Sequence, residues 1–520
     1  MKTLTKSKTL LAALIAIITA GSVSAETIYI TGATAFRGAA NSVIDAYAIA
    51  SQGGATNLAR VAFDTNKITS ALYGVWKLGN GDYISAHWVG SQAGIQSVTG
   101  PSSVITTNKA VLSTNLATNS VNPGGYTRVS GTGASTIWKQ VQTNQVTVTL
   151  QTPNTVPFWA PELISAPAGS VPVATNGTAA SINTTAVIGF VDTFQSSSPF
   201  AAGHRVAYYS TNGYQSNGVI ATNLPAIATN VYTAASADYL IAGVGFSFFT
   251  SPGSPVYNIT QAQAKKLITK GSINAYELTL QLSDTNSGIY LAGRNIDSGA
   301  RANVLSWAGL GSALTSVGVN KGVSQYAILQ PGTSLKYSDG SLYTNNPTNA
   351  STALVVPWPT EVIDGKLSAP GAGGYSSGSA LGTAITTATN LPSGVSSNLP
   401  GKSYVIGYSG AAEAKGAGAQ FVNVNNVPFG VETIKSGAYP YWSYMHILVA
   451  PNAGANVSSI ASTLANNVTQ LSTATLGGYS YGSVSLSDLT NNVSRQYGVD
   501  GGTVTPIWTN QTAFTNLPAW

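Results

Sequence analysis

The fold is decided by the stretch Thr27-Ile28-Tyr29-Ile30-Thr31-Gly32-Ala33-Thr34-Ala35-Phe36, near the start of the chain. Its first five residues are rich in β-branched side chains and predict a strand. Gly32 to Phe36 predict a turn, and a helix should follow, with apolar positions at Ala39, Ala40, Val43, Ile44 and Tyr47. Thr34 and the amide of Phe36 would then lie at a helix N-terminus, which favours anions. A simple helix cap by Thr34 explains the same pattern.

Two further strand ends carry polar side chains. The segment 83–89 predicts a strand that runs into Gly90-Ser91-Gln92-Ala93-Gly94-Ile95, a second strand-to-helix turn. The apolar run 186–191 predicts a buried strand that ends in Asp192. In open α/β sheets, ligands bind in the crevice outside the carboxyl ends of the strands. Asp192 is therefore expected to face such a crevice.

The turn Arg294-Asn295-Ile296-Asp297-Ser298-Gly299-Ala300-Arg301 precedes a helix predicted over 302–307. A guanidinium group can grip an oxyanion with two parallel N–H bonds. The backbone N–H groups of the first helical turn add further donors, because no intrahelical acceptor uses them. Ser298 as an ordinary N-cap is the alternative interpretation.

The first 25 residues predict a secretory signal peptide. Lys2, Lys6 and Lys8 precede an apolar run over 10–20, and small residues stand before Glu26. The run is too short for a permanent membrane span, although an uncleaved N-terminal anchor is the competing interpretation. We expect an exported, soluble protein that is periplasmic, secreted or bound at the cell surface, with cleavage near Ala25-Glu26.

Composition excludes several functions. The chain has no cysteine, so disulfides and thiolate sites are excluded, and the sequence shows no spaced His/carboxylate cluster for a metal. No metal or cofactor is expected. The formal charge of +6 falls to +3 without the three lysines of the predicted signal peptide. Such an excess attracts small anions but does not indicate nucleic-acid binding.

Four segments in order resemble one family: Gly32 to Phe36, Gly90 to Ile95, Ile188 to Asp192, and Arg294 to Gly299. They are similar to the motifs of the phosphate-binding periplasmic proteins of bacterial phosphate ABC transporters (PstS-like). The later segment Val427 to Pro440, with Glu432-Thr433-Ile434-Lys435-Ser436-Gly437-Ala438-Tyr439-Pro440, resembles the family's Pro-x-x-x-x-Ile-x-x-Gly-x-Tyr-Pro pattern.

The resemblance implies an α/β fold of the two-lobed type II periplasmic binding-protein class, a clamshell, here with β-rich insertions. After the predicted signal peptide over 1–25, it implies lobe I over 26–243, lobe II over 244–425 and a return to lobe I over 426–520. Two insertions are expected, one β-rich over 100–185 and one loop-rich over about 309–400.

The resemblance also implies a ligand site and partners. Phosphate or a related oxyanion would be held by Thr34, Phe36, Ser91, Asp192, Arg294, Ser298 and Gly299. Asp192 can only accept hydrogen bonds when ionised, so it would favour a protonated anion over sulfate. A monomer that presents the anion to a membrane ABC permease is expected, with no enzymatic activity.

Three positions depart from the family pattern. Asp297 stands where the family has glycine, Ala300 replaces a threonine hydroxyl, and Val191 replaces the serine before Asp192. Phosphate and related oxyanions therefore stay open as ligands.

Two other functions are considered. Two Gly-x-Ser-x-Gly matches, 374–378 and 478–482, raise the alternative of a serine hydrolase, but neither clearly follows a strand and opens a helix, as a nucleophile elbow should. The low charge and the Thr/Asn/Gly-rich insertions raise that of a surface, structural or adhesion protein that has kept the binding-protein fold.

Overall fold

The computed structural model describes residues 25–53, 60–62, 71–99, 103–113, 126–130, 137–140, 155–164, 180–183, 186–198, 200, 215–216, 219–220, 232–295, 298–310, 323–329, 354–358, 362–363, 366–367, 371, 373–388, 391, 402–495, 500 and 504–506. The predicted signal segment before Ala25 lies outside them, as does Asp297. In the described part of the chain, no helix is long and apolar enough to cross a membrane.

Helices lie between and after the strands. Their bounds are α1 Arg37–Ser51, α2 Ser91–Thr99, α3 Gln261–Lys270, α4 Tyr276–Thr279, α5 Gly299–Trp307, α6 Gly378–Thr386, α7 Ala411–Gly416, α8 Val431–Lys435, α9 Ala455–Thr469, α10 Thr473–Tyr479 and α11 Leu486–Asn492. Short 3-10 turns cover Thr34–Phe36, Gln195–Ser197 and Leu282–Asp284.

Strands run through the whole described chain. Their bounds are β1 Thr27–Gly32, β2 Arg60–Ala62, β3 Tyr73–Lys77, β4 Tyr83–His87, β5 Ser103–Ser113, β6 Tyr126–Ser130, β7 Ile137–Gln140, β8 Thr155–Ile164, β9 Ala180–Asn183, β10 Val187–Val191, β11 Gln215–Ser216, β12 Val219–Ile220, β13 Ala237–Thr250, β14 Asn258–Ile259, β15 Ser272–Asn274, β16 Gly288–Ala292, β17 Tyr326–Leu329, β18 Leu354–Pro357, β19 Val362–Ile363, β20 Lys366–Leu367, β21 Ser403–Gly410, β22 Gln420–Val424, β23 Trp442–Val449, β24 Ser483–Ser485, β25 Val493–Arg495 and β26 Val504–Pro506.

A mixed sheet of 13 strands organises the molecule, in the order β15-β16-β21-β13-β23-β10-β1-β4-β3-β2, with β14, β22 and β24 attached beside this path. The long strand β13 joins two parts of the sheet. Its residues 237–245 pair with β23, whereas 246–250 pair with β21. We call the part with β1–β4, β10 and β23 the first half, and the part with β14–β16, β21 and β22 the second half. The α/β class is confirmed.

The parallel strands decide where the site lies. β1 pairs in parallel with both β4 and β10, and β16 pairs in parallel with β21. Parallel neighbours end at the same sheet edge. Thr34, Ser91 and Asp192 therefore follow strand ends at one edge of the first half, and Arg294 and Glu413 do so in the second half.

Helix α1 packs as its periodicity predicts. Ala39, Ala40, Val43 and Ile44 are buried in the same core cluster as Ile28 and Ile30 of β1. Full burial of an isoleucine side chain stabilises the fold by roughly 1.5–3 kcal/mol. This core fixes the turn that carries Thr34.

Helix α3 is capped at both ends. Thr260 caps it in a reciprocal capping box with Gln263, and it ends at Gly271 in the left-handed conformation. Ala264, Leu267 and Ile268 are buried. Their spacing is that of one face of a helix.

The two predicted insertions contain regular structure. In the region 100–185, β5 pairs with β8 and β9, and β6 pairs with β7. In the region 309–400, β17 pairs with β18, and the helix α6 follows them. The sequence analysis did not predict α6. The reason is that α6 is short and that only two large apolar residues, Leu381 and Ile385, mark its buried face within a Gly/Ser/Thr-rich stretch.

Candidate functional site

Ser91 and Asp192 meet at the edge of the first half. Ser91 Oγ donates to Asp192 Oδ1 at 2.5 Å, and the Asp192 amide donates back to Ser91 Oγ at 3.0 Å. Both side chains are buried. A serine hydroxyl has one proton to give. In this arrangement, the proton of Ser91 is therefore committed to Asp192.

The N-terminus of α5 packs against that carboxylate from the second half. Ser298 is the N-cap and accepts a hydrogen bond from the Arg301 amide, as the cap interpretation predicts. A Cβ atom on Gly299 would lie 1.6 Å from Asp192 Oδ1, so only glycine allows this approach. Asn303 Nδ2 donates to the main-chain oxygen of Asp192 at 2.8 Å. The helix start, with its partial positive charge, thus faces the Asp192 carboxylate.

Arg294 is held on several sides. Its Nε donates to Tyr375 O at 3.1 Å and its Nη2 to Ser376 O at 3.1 Å. Its Nη1 donates to Glu413 Oε2 at 3.3 Å and to Thr34 Oγ1 of the first half at 3.5 Å. These contacts engage four of the five guanidinium N–H donors.

Glu413 is the partner that the sequence analysis missed. Its carboxylate also accepts from Ser409 Oγ at 2.7 Å and from the Gly378 amide at 3.2 Å. The ion pair with Arg294 is almost fully buried, with side-chain exposures of 4% and 2%. Glu413 comes just after the strand β21. The rule that selected Asp192, a carboxylate at the end of an apolar strand, would have found it.

The match 374–378 belongs to this site. Tyr375 and Arg294 form an isolated parallel β-bridge. Ser377 caps α6 by accepting a hydrogen bond from the Ala380 amide. This segment therefore does open a helix, unlike the sequence-based expectation. Its role here is to offer main-chain oxygens to Arg294. The second match, 478–482, ends α10 and precedes β24, the reverse of the order that a nucleophile elbow needs.

Asp192 is electrostatically unusual. Burial raises its pKa to about 7, against the hydrogen bond from Ser91, which lowers it. Asp500 and Glu413 raise this pKa further, whereas Arg294 lowers it. A carboxyl group poised near neutrality can act as an acceptor when ionised and as a donor when protonated.

Asp500 supports the loop after Asp192 and was also missed by the sequence analysis. Its carboxylate accepts hydrogen bonds from the Phe194 amide at 3.2 Å and from the Ser197 hydroxyl. Burial raises its pKa to about 6, opposed by Ser197, His446 and the Phe194 amide. No local pattern around Asp500 indicates this role, because Phe194 and Ser197 lie about 300 residues away in sequence.

The structure brings the predicted residues together from both halves. Thr34 contacts Arg294, and Gly299 packs against Asp192 and Ser91. Phe36 is buried where the 3-10 turn meets α1, so its amide belongs to the start of that helix. Among the described residues, no group of three or more His, Cys, Asp or Glu side chains could hold a metal ion.

No protein-family model matches the chain, and no curated protein matches it. The chain is similar to PstS from Borrelia burgdorferi, with 13% identity and a TM-score of 0.25, over 48% of this chain and 72% of that chain. It is also similar to an ABC-type phosphate transport receptor from Vibrio cholerae, with 13% identity and a TM-score of 0.27, over 52% of this chain and 77% of that one. At these values the likeness gives no argument for a shared ligand. The contacts of Arg294, Asp192 and Glu413 carry the functional assignment.

Proposed function

We propose that this chain is an exported solute-binding protein, which binds phosphate or a related oxyanion between its two halves. The halves would be lobe I, 26–243 with 426–520, and lobe II, 244–425. The protein would present the anion to a membrane ABC permease and catalyse no reaction. Hinge motion about the strands that join the lobes would admit and release the ligand.

One observation carries the proposal. Hydrogen-bonding groups from both halves converge at one buried point, where Arg294 contacts Thr34 and the start of α5 packs against Asp192. A guanidinium group, a threonine hydroxyl and the amides of a first helical turn are oxyanion donors. Thr34 accepts from Arg294 and so keeps its own proton for a ligand.

Asp192 would determine which anions the site binds. When ionised, its carboxylate accepts a hydrogen bond from the hydroxyl group of hydrogen phosphate or hydrogen arsenate. Sulfate carries no such proton at neutral pH, so its oxygens would face a like charge.

The test is calorimetric titration of the mature protein with phosphate, sulfate and arsenate, with the Arg294→Ala variant beside it. We expect phosphate or arsenate to bind to the wild type, and Arg294→Ala to lose at least about 100-fold in affinity, because a charge-assisted contact is removed. A circular dichroism spectrum like that of the wild type checks that the variant folds. Undiminished affinity in a folded variant would contradict the assignment of Arg294.

A second candidate is a surface or structural protein that keeps this fold without a ligand. The observation in its favour is that Arg294 already has a carboxylate partner, Glu413, and that Ser91 donates to Asp192. If none of the three anions produces heat or a thermal shift, this second candidate replaces the first.

A further inference from the structure

We propose that Glu413 is an internal competitor for the oxyanion, so that a ligand must displace its carboxylate from Arg294. The inference rests on the proposed function and makes it more specific. It identifies Glu413 as the residue that sets how strongly an anion must bind to enter the site.

The surroundings of Glu413 resemble those expected for a bound anion. Its oxygens receive a guanidinium N–H from Arg294, a hydroxyl from Ser409 and the Gly378 amide at the start of α6. A Cβ on Gly378 would lie 1.8 Å from Glu413 Oε2, so the carboxylate sits directly against the main chain. This is the set of donors that an oxyanion would also seek.

Charge makes the two occupants exclusive. Arg294 and Glu413 form a buried pair, where water screens charge weakly. A second anion on Arg294 would face the Glu413 carboxylate at close range, and like charges so placed repel each other strongly. Binding is therefore expected when the Glu413 carboxylate moves away from Arg294 or is removed by substitution.

Glu413 is not needed to orient Arg294. The Nε and Nη2 groups of the guanidinium donate to two main-chain oxygens, those of Tyr375 and Ser376. Two such bonds fix the plane of a guanidinium group. Removal of the Glu413 charge should thus free the Nη1 group for a ligand without misplacing it.

The experiment is calorimetric titration of inorganic phosphate into the mature wild type, Glu413→Gln and Glu432→Gln. Glu432 is an exposed residue of α8 whose change removes the same charge outside the site. We expect Glu413→Gln to bind phosphate at least about tenfold more tightly than the wild type, because a like charge leaves the site. Glu432→Gln should match the wild type. Arg294→Ala added to Glu413→Gln should remove the gain.

The outcomes separate this inference from the proposed function. If Glu413→Gln binds phosphate and the wild type does not, or if Glu413→Gln binds it more tightly, the result supports the proposal that Glu413 competes with the ligand. If the wild type binds phosphate and Glu413→Gln binds it equally or more weakly, the proposal that Glu413 competes with the ligand is overturned and the proposed function stays intact. Absence of binding by both proteins overturns both.

A second variant serves if Glu413→Gln does not fold. Ser409→Ala removes the 2.7 Å hydrogen bond to Glu413 and leaves Arg294 untouched. We expect its phosphate affinity to rise severalfold, since the competing carboxylate is held less firmly. An unchanged or lower affinity in the folded Ser409→Ala variant overturns the inference.

Discussion

The carboxylate of Asp192 lies between a serine hydroxyl and the start of a helix from the other half of the sheet. Both neighbours favour its ionised form, whereas complete burial opposes it and raises its pKa to about 7. The charges of Glu413 and Asp500 also raise the pKa of Asp192. Asp192 is therefore mainly ionised, and able to select a protonated anion, only above neutral pH.

Asp192→Asn is predicted to relax the rejection of sulfate. An amide can donate to an anion that carries no proton, so at pH 8 the affinity for sulfate relative to phosphate should rise by at least about tenfold. The measurement is competition calorimetry with both anions. Asp284→Asn, in the 3-10 turn Leu282–Asp284 away from the site, should keep the wild-type preference. An unchanged preference in Asp192→Asn would show that another group discriminates.

At the scale of elements, α6 joins the loop-rich region to the site. Its cap, Ser377, directly follows Tyr375 and Ser376, whose main-chain oxygens hold Arg294. The start of this helix also presents the Gly378 amide to Glu413. A segment that the sequence analysis treated as loop therefore builds one wall of the candidate site.

Ser377→Ala is predicted to destabilise the protein by about 1 kcal/mol, because the Ala380 amide loses its cap. Urea unfolding measures this free energy. Ser379→Ala is the matched control, since Ser379 is an exposed residue in the first turn of the same helix and is not its cap. Alanine there should be neutral or slightly stabilising. If both variants lose the same stability, the cap contributes nothing specific.

The strands and helices of the sheet were predictable because their signals are local. β1, β4, β10 and β13 show β-branched or apolar runs, and α1 and α3 show helical spacing of apolar residues. Helix α6 escaped prediction, since it is short and only Leu381 and Ile385 mark its buried face within a Gly/Ser/Thr-rich stretch.

At the scale of the whole molecule, a residue near the C-terminal end supports the site in the first half. Asp500 binds the Phe194 amide and lies in the electrostatic neighbourhood of His446 and Arg495. Its pKa is raised from 3.8 to about 6, so the folded protein retains a proton that the unfolded chain has lost. This contribution to stability is complete below about pH 4 and is lost as the pH rises through about 6.

Asp500→Asn is predicted to flatten this pH dependence. The unfolding free energy of the wild type, relative to the variant, should fall by roughly 3 kcal/mol between about pH 4 and pH 7, from the size of the pKa shift. Chemical unfolding across that range measures it, with Asp284→Asn as the control. A difference that stays constant with pH would contradict the buried titration of Asp500.

The sequence by itself determined the α/β class, several strands and helices next to the site, and the residues that follow β1, β4, β10 and β16. Each of these depends on the side chains of a short segment and on the direction of its strand. The tertiary structure alone decided that Arg294 pairs with Glu413, 119 residues away, and that the Ser91 hydroxyl donates a hydrogen bond to Asp192, 101 residues away. Local patterns fix which face of a segment is buried. Which donor meets which acceptor depends on how distant strand ends pack together, and no local pattern encodes that choice.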